Sequence, residues 1–540
     1  ALPARSEMCI RDRPTGFRNS FISRPLNELL DQRFHMLVKY RYGGMHWQGS
    51  EMFYNDQVLK ASPADNDASH DKYYAEEQIS NAWPNIVTDD HVTTSFSHEH
   101  SLPLVAMQFV LRHFVRCTEF CLICFNKMPD DLQAIKPYVC DNPLCLYQYM
   151  SLGFGPSIEH EILSQPKVVD LLISFCYISA RSSSAFKDFP TGLSLAVPPP
   201  VAFEMDYMPF HGGHALASLP AASTPVPGMS IRYNAATHEM LFDNHMQASC
   251  PVSTGNWVVI RTEEDYKTPL HCRVVTASYY PAVTLSHPVI PSVGVHQDDS
   301  YIARRDRSAP APKPQQEHTA ALPPVDEFRP ASFHLYDHNF DDLQDHEKRQ
   351  TIVALLDLLP PVPEMKEYLQ QTPQSTLSGW VNRLSPAVVG ILRWVIASNR
   401  ACILQVDEGD AVNGRKSEER LYGMSGWAQF RFAMGAPDKE RRFIQAVQET
   451  TRRLSLQYPT LFAWHGSPPQ NWHSIIREGL HFKETLHGRA FGHGVYHSQD
   501  YKTSMSYASG SQTCWPRSQL KIQQALALNE VVNAPAEYVS

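Results

Sequence analysis

The sequence predicts an α+β protein in which helical, β-rich and mixed regions follow one another along 540 residues. Three observations support this fold class. Apolar residues recur at helical spacing in the first third and again from Asp345, short β-rich runs occupy residues 196–302, and helical and strand-like segments alternate after residue 436. The length is sufficient for about three domains.

Composition narrows the classes of function. The formal net charge of −9 argues against a broad nucleic-acid-binding surface. No run reaches the roughly 18 apolar residues that a membrane-spanning helix needs, and the first residues do not read as a secretory signal. Five of the eleven cysteines lie between Cys117 and Cys145, which favours metal binding in a reducing compartment over a disulfide framework. We therefore expect a soluble intracellular protein, cytoplasmic or nuclear, without a membrane or nucleic-acid partner.

Both ends of the sequence look unnatural. Residues 1–13 (ALPARSEMCIRDR) resemble translated adapter sequence, and we exclude them from the fold as a non-native artefact. The strand-like segment Ala525 to Val532 is followed by no element that would close a sheet. We therefore expect the chain to be a fragment.

Residues 20–190 form the first predicted region, which is helical. Leu104 to Val115 carries apolar residues at close to helical spacing, and two more helical patterns follow between Ile158 and Ser182. An apolar stripe in the last of these is assigned to a core; it comprises Val168, Val169, Leu171, Leu172 and Phe175.

A cysteine-rich module at residues 117–145 predicts a metal site. Cys121 and Cys124 form a CxxC pair, and Cys140 and Cys145 form a second pair further along. Two thiolates from each of two turns can surround zinc tetrahedrally, and the absence of a nearby general base in the sequence indicates a structural ion. Cys117 is a spare candidate ligand. The alternative is a set of buried free thiols, which the CxxxxC spacing of the second pair leaves open.

Residues 196–302 are predicted to form a β-rich middle domain. Short runs such as Asn256 to Arg261 are separated by proline and glycine turns, which predicts a small antiparallel sheet. Residues 303–331 are rich in proline and have almost no apolar periodicity, so we interpret them as a disordered linker. His211 and His214 have a spacing that metal sites use, but chance explains such a pair in a polar loop more readily.

Helices are expected again in residues 332–435. Apolar positions recur from Ile352 to Leu359, and Pro360 ends that helix; Ala387 to Ile396 predicts a second buried helix. The last domain, residues 436–540, opens with an amphipathic helix from Asp438 to Leu456 and a short strand from Leu461 to Trp464.

The segment after this strand carries the features that bear on function. His465, Gly466 and Ser467 lie at the strand exit, where a glycine permits close approach of a ligand to the backbone. A helix from Pro469 to Glu478 follows, ended by Gly479, and Phe491 to Tyr496 reads as a tight turn entering a strand. Ser504 and Tyr507 lie three residues apart on a predicted helix and so share a face.

This ordered set resembles the catalytic domain of the poly(ADP-ribose) polymerase family of ADP-ribosyltransferases. That family has an HG-S/T motif, a glycine-bounded GVY-type strand, and a serine and a tyrosine eight and eleven residues after the strand tyrosine; Tyr496, Ser504 and Tyr507 have this spacing. The CLIC…KPYVCDNPLCLYQYMSLGFGPSIEHEI stretch resembles the cysteine-rich region of the family's mono-ADP-ribosyltransferase branch, of which some fungal relatives also carry a ubiquitin-conjugating domain. The resemblance covers residues 117–180 and 440–540.

The resemblance implies a split-sheet ADP-ribosyltransferase domain at 436–540, truncated at its C-terminus, that uses NAD as substrate. His465 should hydrogen-bond the adenosine ribose, and the Gly466 backbone and Ser504 should hold the nicotinamide carboxamide. Tyr507 and Tyr496 should stack on the two faces of the nicotinamide ring. The implied catalytic residues are His465 and Tyr496, and the implied NAD-contacting residues are His465, Gly466, Ser467, Tyr496, Ser504 and Tyr507.

Two departures from the family pattern bear on activity. Founding members have Phe-Ala after the strand tyrosine, whereas His497 and Ser498 stand here. The third catalytic position lies on a strand beyond residue 540, and Glu530 and Glu537 are not safe substitutes for it. The branch resembled here typically lacks the glutamate of polymerising members, which implies mono- rather than poly-ADP-ribosylation of protein substrates.

Two other classes of function stay open on the sequence alone. One is an NAD- or ADP-ribose-binding module without turnover. The other is a zinc-dependent scaffold for the ubiquitin machinery with a vestigial transferase fold. Taken singly, His465 reads as a satisfied histidine, Tyr496 and Tyr507 as core aromatics, and Gly492 with Gly494 as a hairpin turn; only their order favours the enzyme.

Overall fold

A computed structural model gives the structure of the protein. It describes residues 33–59, 70–77, 84–94, 100–124, 134–135, 139–140, 142, 144–145, 148–149, 157–182, 186, 188–203, 228–242, 249–263, 268–292, 327–371, 375–406, 420–421, 423–424, 426–480, 494–508, 510 and 514–538. The chain divides into two compact units, residues 1–149 and 150–540.

The described part of the first unit is helical. Its helices are α1 (Phe34–Tyr42), α2 (Trp47–Leu59), α3 (Asn85–Thr88), α4 (His91–Thr94) and α5 (Leu102–Val115). A small apolar core joins α1, α2 and α5 through Leu37, Trp47, Val105 and Phe109. After α5, Arg116 forms ion pairs with Glu51 at 2.9 Å and Glu119 at 2.8 Å, which hold the start of the cysteine-rich segment against α2.

The second unit is built around one buried helix. Helix α6 (Ile158–Ser164) leads into α7 (Pro166–Ser182), in which every residue from 168 to 180 is buried. Helices α8 (Asp345–Asp357), α9 (Val362–Gln371) and α10 (Pro386–Ala397) pack around α7 in one hydrophobic core. The sequence placed α6 and α7 in the helical region 20–190, whereas they share their core with residues nearly two hundred positions later.

Local signals explain where these later helices begin. Gln344 and Glu347 form a capping box at the start of α8, and the Ser385 hydroxyl accepts a hydrogen bond from the Val388 N–H ahead of Pro386 in α10. Among the described helices, none alone has both the length and the apolar character to cross a bilayer; only the bent pair α6–α7 passes on length and composition.

A closed six-stranded barrel occupies the middle of the second unit. Its strands are β2 (Met229–Asn234), β3 (Glu239–Leu241), β4 (Trp257–Thr262), β5 (Leu270–Thr276), β6 (Ala282–Leu285) and β7 (Arg329–Leu335), in the order β2-β3-β6-β5-β4-β7. Apolar side chains including Ile231, Val258 and Phe333 fill the interior. Strand β1 (Ala196–Val197), which precedes the barrel in the chain, pairs antiparallel with β8 (His338–Asn339), which follows it.

The barrel differs from the predicted small sheet because its closing strand begins inside the segment predicted as linker. Strand β7 pairs with both β2 and β4, and it starts at Arg329, within residues 303–331. Residues 303–326 of that segment, and the His211/His214 pair, lie outside the described residues.

The C-terminal part alternates strands and helices. Its elements are β9 (Cys402–Val406), β10 (Gln429–Met434), α11 (Pro437–Leu454), β11 (Thr460–Gly466), α12 (Trp472–Glu478), α13 (Tyr501–Tyr507) and β12 (Leu526–Val532). Strands β9 and β10 pair antiparallel within the region predicted as helical, and β11 pairs antiparallel with β12. The predicted α+β class is confirmed.

Helix α7 also holds the C-terminal part in place. The buried Asp170 carboxylate accepts a hydrogen bond from the Gln519 N–H at 2.8 Å and one from the Ser518 hydroxyl. The Ser179 hydroxyl donates to the Gln470 carbonyl at 2.6 Å, next to α12. The indole of Trp515, which is fully buried, donates to the Leu356 carbonyl of α8 at 3.0 Å.

Candidate functional site

The backbone N–H and C=O of Gly466, at the end of β11, point away from the neighbouring strand β12. Trp464 exchanges two backbone hydrogen bonds with Ser498, at 2.7 and 2.9 Å, on the edge of β11 that faces away from β12. Because the N–H and C=O of alternate residues point to the same edge of a strand, those of Gly466 also point away from β12. The position predicted to bind a carboxamide therefore presents a donor and an acceptor side by side.

Gly466 has a second, structural reason to be glycine. A Cβ on this residue would lie 1.8 Å from the Ser504 carbonyl oxygen and 3.2 Å from the Leu526 side chain. The start of α13 thus packs directly on the backbone of β11. A glycine at this position therefore permits the close approach of a helix as well as that of a ligand.

Ser504 is brought to the same place by α13. Asp500 caps this helix, accepting hydrogen bonds from the N–H groups of Lys502 and Thr503. Ser504 is 4% exposed, and its hydroxyl donates to the Trp464 carbonyl at 2.9 Å. With its proton committed to Trp464, the Ser504 Oγ has lone pairs left to accept a hydrogen bond.

The ring of His465 has a defined tautomer. Its Nδ1 lies 2.9 Å from the Tyr496 carbonyl oxygen, which can only accept, so Nδ1 carries the proton and Nε2 is an acceptor. Burial lowers the pKa of His465 below its ordinary value, which keeps the imidazole neutral. A neutral His465 with a bare Nε2 suits a hydroxyl donor on a ligand.

His497, which from the sequence is only a departure from the family pattern, lies next to His465 in the structure. Its ring centroid lies 5.5 Å from that of His465. Its Nδ1 lies 3.2 Å from the Val495 carbonyl, and its Nε2 lies 3.0 Å from the amide nitrogen of Asn529 on β12. No local sequence signal marks Asn529, since the contact depends on strand register.

The remaining predicted residues differ in exposure. The rings of Tyr496 and Tyr507 are open to solvent, at 38% and 62% exposure, so neither is a core aromatic. Ser467 is buried; its hydroxyl accepts from the Asn471 amide and its carbonyl accepts from the Trp472 indole, both at 2.9 Å. The predicted turn and strand at Phe491–Tyr496 fall partly outside the described residues, and the bridge to β11 in the described part that follows is at Ser498, two residues after Tyr496.

Neither C-terminal glutamate joins this site. In the β11–β12 register His465 lies opposite Ala527, while Glu530 lies opposite Phe462 and projects to the other face of the sheet. Glu530 accepts a hydrogen bond from the Thr460 hydroxyl at 2.7 Å, and Glu537 pairs with Arg453. These positions agree with the expectation that neither glutamate replaces the third catalytic position.

A separate cluster in the first unit brings the four predicted metal ligands together. The thiols of Cys121, Cys124, Cys140 and Cys145 all lie within 4.8 Å of one another. The Sγ atoms of Cys124 and Cys140 are 3.9 Å apart, and tetrahedral zinc–sulfur bonds of about 2.3 Å require a separation of about 3.8 Å. Among the described residues, this is the one such group, and it does not include Cys117.

Backbone geometry at the cluster suits thiolates. The Cys140 N–H donates to the Cys121 Sγ at 3.4 Å, and the Asn142 side chain accepts from the Leu144 N–H in a tight turn. Hydrogen bonds from Cys124 and Cys140 lower the pKa of the Cys121 thiol, while the hydrogen bond with Cys121 raises the pKa of Cys140 and burial raises that of Cys145. The cluster therefore fits the zinc ion that the sequence predicted.

Comparison with known proteins supports the resemblance that the sequence predicted. Residues 435–531 match the family described as poly(ADP-ribose) polymerase catalytic domain. The mouse and human proteins named "Protein mono-ADP-ribosyltransferase PARP8" are each 30% identical to the chain over 161 residues, which is 29% of the chain and 16% of those proteins. The match thus spans about a sixth of the length of these relatives, and the predicted resemblance is confirmed.

Proposed function

We propose, from the poly(ADP-ribose) polymerase catalytic-domain segment at residues 435–531, that the protein binds NAD and transfers a single ADP-ribose to protein side chains. The observation that carries this proposal is the arrangement at the exit of β11. A neutral His465 with a bare Nε2, the outward N–H and C=O of Gly466 and the Ser504 hydroxyl lie on adjoining elements. These are the groups that a ribose hydroxyl and a carboxamide require.

Each group has a defined task in this reaction. His465 Nε2 accepts a hydrogen bond from a ribose hydroxyl, while the Gly466 N–H donates to the carboxamide oxygen and the Gly466 C=O accepts from the carboxamide nitrogen. The Ser504 Oγ accepts the other amide proton. The exposed rings of Tyr496 and Tyr507 supply stacking surfaces for the nicotinamide ring.

These contacts hold the leaving group while the glycosidic bond breaks. The C1′–N bond of NAD cleaves with its electron pair leaving on nicotinamide, and the ribose develops oxocarbenium-like charge. A nucleophilic side chain of the acceptor protein forms the new bond to C1′. A hydroxyl, thiol or guanidinium nucleophile loses a proton in this step, whereas a carboxylate has none to lose. Glu, Asp, Cys, Ser and Arg side chains are all chemically suitable acceptors.

Transfer of one ADP-ribose unit, rather than a polymer, is proposed from the relatives that match the chain. The relatives that match carry the name mono-ADP-ribosyltransferase.

We further propose that Cys121, Cys124, Cys140 and Cys145 hold a structural zinc ion. Intracellular thiols stay reduced, which is the state that zinc binding needs, so this site supports action inside the cell. Elemental analysis of the purified protein should give one zinc per chain, and Cys140→Ser should reduce this to near zero. A full complement of zinc in the variant would exclude these ligands.

The transferase is tested by incubating the protein with NAD and following nicotinamide release and protein mass. Wild type should release nicotinamide and gain a single ADP-ribose mass, and His465→Ala and Tyr496→Ala should lose both. Glu530→Gln is the matched control, because this side chain lies on the other face of the same sheet. NAD-dependent thermal stabilisation without nicotinamide release would instead support a binding module, and no response to NAD would contradict the proposal.

A further inference from the structure

A row of polar side chains crosses three neighbouring chain segments beside the proposed NAD site. Trp464 pairs with Ser498, so His465 lies opposite His497, and β12 places Ala527 opposite His465 on its other side. Residues that lie opposite one another in antiparallel pairs project to the same face. His497, His465 and Ala527 therefore share one face.

Asn529 joins this face from the outer strand. It lies opposite Ala463, one row away from His465, and its amide nitrogen reaches the Nε2 of His497 at 3.0 Å. The bond passes over Ala463, which is 5% exposed and whose methyl group leaves room for it. A larger side chain at position 463 would occupy this path.

Both ring nitrogens of His497 are thereby used. Its Nδ1 donates to the Val495 carbonyl at 3.2 Å, and its Nε2 accepts from Asn529. The bond to Val495 fixes the chain from Val495 to Ser498, and this segment includes the Tyr496 carbonyl to which His465 donates. The orientation of His465 thus depends on a carbonyl that His497 holds in place.

We propose that His497 and Asn529 form a positioning pair that orients His465 and Tyr496 for NAD. The inference rests on the proposed function for its ligand and goes beyond it in assigning two residues to which that proposal gives no task. Burial lowers the pKa of His497, and the neutral ring that results is the form that can accept from Asn529. Replacement of either partner should loosen the Tyr496 carbonyl and, through it, the His465 ring.

The test is a double-variant cycle in the full chain, with NAD affinity measured by calorimetry. His497→Phe and Asn529→Leu should each weaken NAD binding about fivefold, the scale of one lost hydrogen bond. The double variant should be no weaker than either single variant, because the two residues act through one bond. Ala463→Leu should produce the same loss without removing any polar group.

A matched control removes another side-chain bond between the same strands. Thr460→Val deletes the hydrogen bond to Glu530 on the opposite face and should leave NAD affinity unchanged. Losses in the His497 and Asn529 variants that simply add, or an equal loss in Thr460→Val, would overturn the positioning role in favour of general weakening of the sheet.

A second readout does not depend on NAD. Hydrogen exchange at the imidazole C2 position, followed by mass spectrometry, reports the pKa and access of each histidine. Without NAD, His465 should exchange faster and titrate closer to its ordinary value in His497→Phe and Asn529→Leu, but not in Thr460→Val. Unchanged exchange at His465 would refute the pair. A wild-type chain that shows no NAD binding would refute the proposed function, and the exchange data would still decide the positioning role.

Discussion

Asp170→Ala tests whether helix α7 holds the C-terminal segment. The Asp170 side chain is 2% exposed and accepts hydrogen bonds from the Ser518 hydroxyl, the Gln519 N–H and the Ser174 hydroxyl. Two of these donors belong to the segment that leads into β12. Alanine would leave both without this acceptor; Ser518 is 3% exposed, whereas Gln519 is an exposed residue.

The magnitude follows from the donors left unpaired. Each costs about 1–3 kcal/mol when buried without a partner. Burial raises the pKa of Asp170, which shows that the carboxylate itself is poorly solvated, and its removal relieves part of that cost. We therefore expect the free energy of unfolding to fall by about 2–3 kcal/mol in Asp170→Ala and by about 1 kcal/mol in Asp170→Asn, which keeps one acceptor oxygen.

Urea unfolding gives these values, and backbone hydrogen exchange shows where the structure loosens. Exchange in Asp170→Ala should accelerate most in residues 515–520. Asp337→Ala is the control, because Asp337 is 55% exposed and pairs only with its neighbour His338. Equal midpoints for the two variants, together with unchanged exchange at residues 515–520, would refute the reasoning.

Three further predictions concern glycine, zinc and pH. Gly466→Ala places a methyl group 1.8 Å from the Ser504 carbonyl and should cost about 2 kcal/mol and abolish NAD-induced thermal stabilisation, whereas Gly494→Ala, which meets nothing within 4 Å, should do neither. Zinc chelation should raise hydrogen exchange around Cys121 and leave the NAD response intact, since the two sites lie in different units; parallel loss of both would contradict this. Burial lowers the pKa of His271 to about 3. The unfolded chain therefore binds a proton at His271 near pH 6.5, whereas the native chain does not bind it until the pH is near 3, and stability is lost as pH falls from 6.5 towards 3. The loss should be about 2 kcal/mol at pH 5, and His271→Gln should remove that share of the slope between urea unfolding curves at pH 7.5 and 5.

Sequence reasoning located α8, α10 and β11 because their signals are local, whereas it missed the strand pair β9 and β10. Pro386 and the Ser385 cap mark the start of α10. The short apolar run before His465 marks the strand that ends at Gly466. The barrel needed information that no local window holds. Its closing strand β7 starts at Arg329-Pro330, and a proline next to a polar segment predicts linker unless the partners β2 and β4 are known.

In the candidate site, too, the features that depend on local sequence could be predicted, and those that depend on strand pairing could not. The spacing of Tyr496, Ser504 and Tyr507 could be read from the sequence, because the residues follow one another along a turn and a helix. The contact between His497 and Asn529 could not, since it joins residues 32 positions apart through the register of two antiparallel pairs. His497 therefore read as a lost apolar residue, whereas the structure shows a ring with both nitrogens bonded.

Among the described residues, the segment that matches the catalytic family packs part of its apolar surface against a helix outside it. Phe175 of α7 stacks on Trp472 of α12 with ring centroids 6.0 Å apart, and Leu171 belongs to the same apolar cluster. Asp170 fixes the approach to β12, and the Trp515 indole is bonded to α8. Since β12 and α12 flank the strand that carries His465, the geometry of that residue depends on helices far outside residues 435–531. A substitution in α7 can therefore change NAD binding without lying near the ligand.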